Sequence, residues 1–174
     1  KTDEVVQVVT PSVASLNDFN LLLERSQRLI SKWYFVPSPK DDVSKQELRE
    51  LIKEDYPRIK KQLDSLSVNW TKEEKQSIKT ITSLTDQLFV VFQEEIMEQL
   101  VDFSNYEDAQ LYFLVKLPLD ESEEKLIVIN KQLHSLIESQ KIHAETVTGK
   151  MFDSFTFLQI FVKLLGIALV IGGI

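Results

Sequence analysis

Few side chains in this 174-residue chain are placed to do chemistry. Its two histidines, His134 and His143, stand nine residues apart. On one helix that is half a circuit out of phase, so the pair cannot present both rings to one metal ion. Neighbouring acids such as Glu94–Glu95 and Glu123–Glu124 diverge on a helix surface, which marks them as solvated positions and not as a general acid–base couple. There is no cysteine, hence no thiol nucleophile, disulfide or Cys-based metal site. A glycine-rich phosphate loop, HExxH and GxSxG are all missing from the sequence. No catalytic residue, metal or cofactor is predicted, and an enzyme is the least favoured class.

One cluster does have a chemistry. Arg25, Arg28 and Lys32 recur at i, i+3 and i+7, a single basic stripe on a helix, and Trp33 closes the same segment. Forked guanidinium donors suit a carboxylate or phosphate. These four residues form the predicted ligand-binding set, for a small anionic molecule. The competing assignment is structural, with the stripe pairing to Glu94, Glu98 or Asp102 of the same fold. Acids are dense there: from Glu94 to Glu124 the chain has ten acids against one base, Lys116. Trp33, Tyr34 and Phe35, with Tyr106, Tyr112 and Phe113, either line a small pocket beside the stripe or pack as core.

The elements that must position these groups are helices. The first 148 residues contain no glycine, so tight turns needing positive φ are scarce, which argues against sandwiches and barrels. Residues 3–35 carry Val5, Val9, Ser12, Leu16, Phe19, Leu23, Ser26, Ile30 and Trp33 at alternating steps of four and three, the seam of a helix in a bundle. Val36-Pro37-Ser38-Pro39 ends it. A second helix is predicted from about 43 to 68, kinked or restarted at Pro57. Thr71 and Glu74 form a capping box that opens a third, expected to reach about Phe103. Residues 104–119 are either a short helix after Ser104 or an extended segment stopped by Pro118. Asp120 with Glu123 is the predicted start of the fourth helix. The fold class expected is all-α, an antiparallel up-down four-helix bundle with long first and last helices.

The tail differs. Residues 155–174 read FTFLQIFVKLLGIALVIGGI, and the last eleven are wholly apolar. A bilayer span needs about 20 such residues, so this run reads as the first part of a transmembrane helix, with a buried core helix as the other use of such a stretch. Gly166, Gly172 and Gly173 favour the membrane. The expected organisation is a bundle domain over 1–154 and the start of a transmembrane helix over 155–174. The chain opens on Lys1, so it is expected to be a processed or excised piece of a longer one. The net charge of −7 makes nucleic acid an unlikely partner.

A long first helix with LLLERSQRLISKW in its distal half, two middle helices, and a long fourth helix leading into LQIFVKLLGIALVIGGI resemble the four-helix-bundle sensor domains of bacterial chemoreceptors and related transmembrane sensors. The resemblance spans nearly the whole chain and rests on helix order. It implies an extracytoplasmic ligand-sensing domain, periplasmic or extracellular, anchored in the inner or plasma membrane and working as a homodimer. In the aspartate-type members, arginines on the first and fourth helices hold the ligand's carboxylates. Arg25 and Arg28 match the first-helix part, whereas the fourth helix here has no arginine. Two other classes remain open from the residues alone: a membrane-anchored structural or adaptor bundle binding a protein partner, and a helical toxin that inserts its apolar tail.

Overall fold

The computed structural model describes the backbone of residues 10–172 and the side chains of residues 11–143, 145 and 146. It is all-helical, 87% helix with no strand among the described residues. In chain order the helices are α1 (Thr10–Phe35), α2 (Val43–Glu50), α3 (Tyr56–Ser67), α4 (Lys72–Val90), α5 (Phe103–Glu107) and α6 (Ala109–Gly172). α2 joins α3 through a π-helical turn, Leu51–Asp55, and α4 continues as a second π-helical stretch, Val91–Met97.

The periodicity of α1 translates directly into burial. Ser12, Leu16, Phe19, Leu23, Ser26, Ile30 and Trp33 are all at most 1% exposed, so the seam faces one continuous core. Val5 and Val9, the first two seam positions, lie outside the described residues. α1 packs on α6, α2 and α3, while α4 packs on α6 and α3. The chain's polar punctuation does the rest. Asp42 caps α2 by accepting from Ser44 N, and Thr71 with Glu74 forms the reciprocal capping box that opens α4.

Pro57 explains the first π-helical turn. It lies in the first turn of α3, but because the helix runs unbroken into α3 from residue 43, its ring crowds the carbonyl four residues back. Widening the preceding turn by one residue relieves that clash, and Tyr56 N accordingly donates to Leu51 O.

Several expectations need correction. The last helix begins at Ala109, not Asp120, with Asp108 Oδ1 accepting from Gln110 N and Leu111 N, both at 3.0 Å. Pro118 lies inside this helix instead of stopping it. Ser122 Oγ donates to Pro118 O at 2.6 Å one turn later. Asp120 receives Lys116 rather than capping anything. Residues 104–119 thus divide between the short α5, whose cap is Asp102 and not Ser104, and the first turns of α6. The third helix departs from α geometry at Val91 and does not reach Phe103.

Among the described residues no helix is long and apolar enough to cross a membrane. The side chains of 155–174, on which the transmembrane expectation falls, lie outside the described residues, as do those of Val147 and Met151. The backbone of α6 is nevertheless one uninterrupted helix of 64 residues, about 96 Å, through Gly172.

Candidate functional site

Arg25 sits on α1 opposite the π-helical turn. Its Nε donates to Glu47 Oε1 at 2.7 Å, and its Nη1 lies 3.7 Å from Asp55 Oδ2, too long for a hydrogen bond. Asp55 is held instead by Arg58 Nη2 at 2.8 Å. The guanidinium of Arg25 therefore commits one edge to Glu47 and turns the other toward a groove of about 320 Å³. Leu21, Leu22, Leu51 and Ile59 supply the groove's apolar wall, and Asp18, Arg25, Asp55 and Arg58 its charges. That volume is near the lower limit of small-molecule sites.

The structure does not bring the four predicted ligand residues together. Arg25 faces the groove, while Arg28 and Lys32 are exposed on α1. Lys32 lies beside Asp42, whose carboxyl is held below the ordinary range first by the Ser44 hydroxyl and also by this positive charge. Trp33 is 1% exposed and donates its indole N–H to Leu100 O at 2.8 Å, so it is a core residue out of reach of a ligand in solvent. The acids that Arg25 meets are Glu47 and Asp55, not Glu94, Glu98 or Asp102. Sequence reasoning missed Asp18, Asp55 and Arg58. Pro57, already identified as a break, was the available signal, because the widened turn it causes carries Asp55 into the groove.

Beyond the end of α1 lies a second polar centre that sequence reasoning missed. Lys45 is fully buried, with Nζ donating to Ser38 O at 2.9 Å, Val101 O at 3.0 Å and Leu100 O at 3.2 Å. The same ammonium is 5.0 Å from the ring centres of Trp33 and Tyr106, and Arg49 covers Trp33 at 4.9 Å. Burial pushes the Lys45 ammonium below its usual pKa, with the nearby Arg49 charge adding to the effect. Tyr106 OH donates to Trp33 O at 2.5 Å, and Tyr34 stacks on Tyr112 with ring centres 4.4 Å apart. The aromatics around Lys45 are thus mostly packing, and Phe113 and Phe35 point outward.

A third cluster joins the start of α4 to the late part of α6. Glu74 is buried, accepts from Thr71 N and Thr71 Oγ1 at 3.0 Å and from Ser139 Oγ at 2.8 Å. Burial raises its carboxyl, but those hydrogen bonds and the His143 charge outweigh this and leave it below the ordinary value. Trp70 closes the same end of the fold by donating to Ser12 Oγ at 2.9 Å. On α3 and α4, Tyr56 OH donates to Asp86 Oδ1 at 2.7 Å, with Thr82 O 3.1 Å away as a second, shared acceptor.

Compared with known proteins, the chain matches no family model, no curated protein and no solved structure.

Proposed function

We propose that the chain is the extracytoplasmic ligand-sensing part of a transmembrane receptor, with residues 1–154 as an antiparallel up-down four-helix bundle and residues 155–174 entering the membrane. It works as a homodimer at the inner or plasma membrane, with the bundle on the periplasmic or extracellular side. The observation that carries this proposal is the unbroken backbone of α6, which joins the Lys45 end of the fold to the apolar run in one helix. Support comes also from the absence of glycine between Asp120 and Thr148, since a stiff helix passes on small shifts that a jointed one would absorb.

The ligand in this scheme is a small anion taken up beside Arg25. Its carboxylate or phosphate competes with Asp55 for Arg25 and Arg58 in the groove. Displacing Asp55 removes a contact that favours the π-helical turn of 51–55. Pro57 keeps the turn wide, and the ligand shifts how that turn sits against α1. α2 and α3 pack on α1, and α1 packs on α6, so the shift reaches the output helix through direct contacts.

Thermal melts of the chain with small carboxylates and inorganic phosphate test the scheme. A ligand at 100 times its Kd adds about 2.7 kcal/mol, a rise of about 5–10 °C for a chain of this size. Arg25→Met should abolish the rise. No response to any anion in the wild-type chain contradicts anion sensing.

A further inference from the structure

The end of the fold built around Lys45 exposes side chains that folded chains ordinarily hide. On α6, Phe113 is 76% exposed, Leu117 65% and Leu114 60%. Phe35 and Val36, where α1 ends, are 57% and 46% exposed, and Phe103 at the start of α5 is 51% exposed. Phe35 touches a cluster of rings whose other members, Tyr112 and Tyr106, lie next to Phe113 and one turn after Phe103 in the chain. Phe35 meets Tyr34 edge-on at 4.9 Å, Tyr34 stacks on Tyr112, and Tyr106 of α5 lies 6.4 Å from Tyr112. Large apolar side chains exposed together at one end of a fold mark an interaction surface.

The α6 side of this patch is acidic, whereas at the α1 end Lys32, Lys40 and Arg49 stand near Asp41 and Asp42. Between Glu107 and Glu124 the chain has six acids and one base. That base, Lys116, is bound by Asp120, and Lys45 is buried. Glu107, Asp108, Asp120, Glu121 and Asp102 are all exposed.

We propose that this tip is a docking surface for another protein, which it binds through a basic amphipathic segment. Apolar anchors of the partner pack on Phe113 and Leu117, and its lysines or arginines meet the acidic rim. Charge selects this occupant. An anionic membrane surface is repelled by the same acids, and a second copy meeting tip to tip sets like charges against each other. The docking surface does not depend on anion sensing at Arg25.

The test uses the full chain in neutral-lipid nanodiscs and two fluorescent 18-residue helical peptides with the same leucine face, one with lysines opposite and one with glutamates. Anisotropy is corrected with protein-free discs. The Leu–Lys peptide should bind with micromolar affinity, weakened tenfold or more by Phe113→Ser with Leu117→Ser. The separate variant Glu121→Lys should weaken it at least threefold. The Leu–Glu peptide should not bind. Equal binding of the Leu–Lys peptide to all three proteins overturns the proposal. So does equal binding of the Leu–Glu peptide, or a wild-type dimer in sedimentation that these serine substitutions dissociate.

Discussion

Lys45→Met removes the ammonium at the end of the fold while keeping most of the side chain's length and apolar stem. Three carbonyls face that ammonium, but they do not suffer equally. Leu100 O also accepts from Trp33 Nε1 at 2.8 Å, so it keeps a partner, whereas Ser38 O and Val101 O lose the donor that reaches them. The orphaned acceptor costs about 1–3 kcal/mol at buried Ser38 O and somewhat less at Val101 O, which is part-buried. Loss of the contacts to Trp33 and Tyr106 adds about 0.5–1 kcal/mol apiece. Against this, the variant no longer desolvates a charge, which offsets a few kcal/mol; the same burial holds the Lys45 pKa below its usual value. The net expectation is a loss of about 2–4 kcal/mol. At about 2–4 °C per kcal/mol for a chain of this size, the melting midpoint drops by about 5–15 °C. Helical circular dichroism followed against temperature and urea measures it. A Lys45→Met protein as stable as the wild type refutes the assignment of Lys45 as the group that ties the 36–42 and 98–102 segments together.

Other outcomes follow from the same structure. Glu74 has a folded pKa below its unfolded value of about 4.3, so its contribution is present above that pH and is lost as the pH falls through the folded value. Glu74→Gln should therefore flatten the acid limb of stability against pH, read by melts between pH 2 and 6. Tyr34 and Tyr106 are pushed up to about 12, chiefly by burial, so their contribution is full below about pH 10 and is lost between pH 10 and 12. Tyrosine absorbance at 295 nm and helicity should change together across that window. Tyr56→Phe removes the hydroxyl shared between Asp86 and Thr82 O and should cost about 1–2 kcal/mol in urea unfolding. Under the proposed receptor function, Gly149→Ala should change signalling gain without changing ligand affinity, since Gly149 is the one glycine between Asp120 and Phe155.

The seam of α1 was legible because seven described positions at heptad spacing have one physical use, burial against other helices, and the structure buries every one. The Thr71–Glu74 box and the double-proline stop were legible for the same reason, since each satisfies or denies particular backbone donors. The last helix was misread because Pro118 and the Asp120–Glu123 pair imitate a boundary. The tertiary packing of Val115, Leu119 and Ser122, all nearly inaccessible, keeps the chain helical through the proline. The π-helical turns were illegible as such, because the buried positions through them, Leu48, Ile52, Tyr56, Ile59 and Leu63 and then Thr85, Leu88, Phe92 and Ile96, keep the steps of three and four that an unbroken α-helix also shows. At the site, the i, i+3, i+7 spacing correctly placed Arg25, Arg28 and Lys32 on neighbouring turns but carried no information about which helix each would face. Lys45 did leave a trace. It lies three residues before Leu48 and seven before Ile52, on the apolar face, where a lysine must find internal acceptors.

Spin labels placed singly along 121–170 test the proposed passage of α6 from water into lipid, because the chain has no cysteine to compete for the label. In nanodiscs, collision rates with oxygen and with a water-soluble nickel chelate should cross over near residue 155. Labels at 164, 167 and 170 should meet oxygen only, and those at 121 and 124 the chelate. Chelate contact throughout 158–170, or labels there shielded from both reagents inside a folded protein core, contradicts a helix that carries the signal into the membrane.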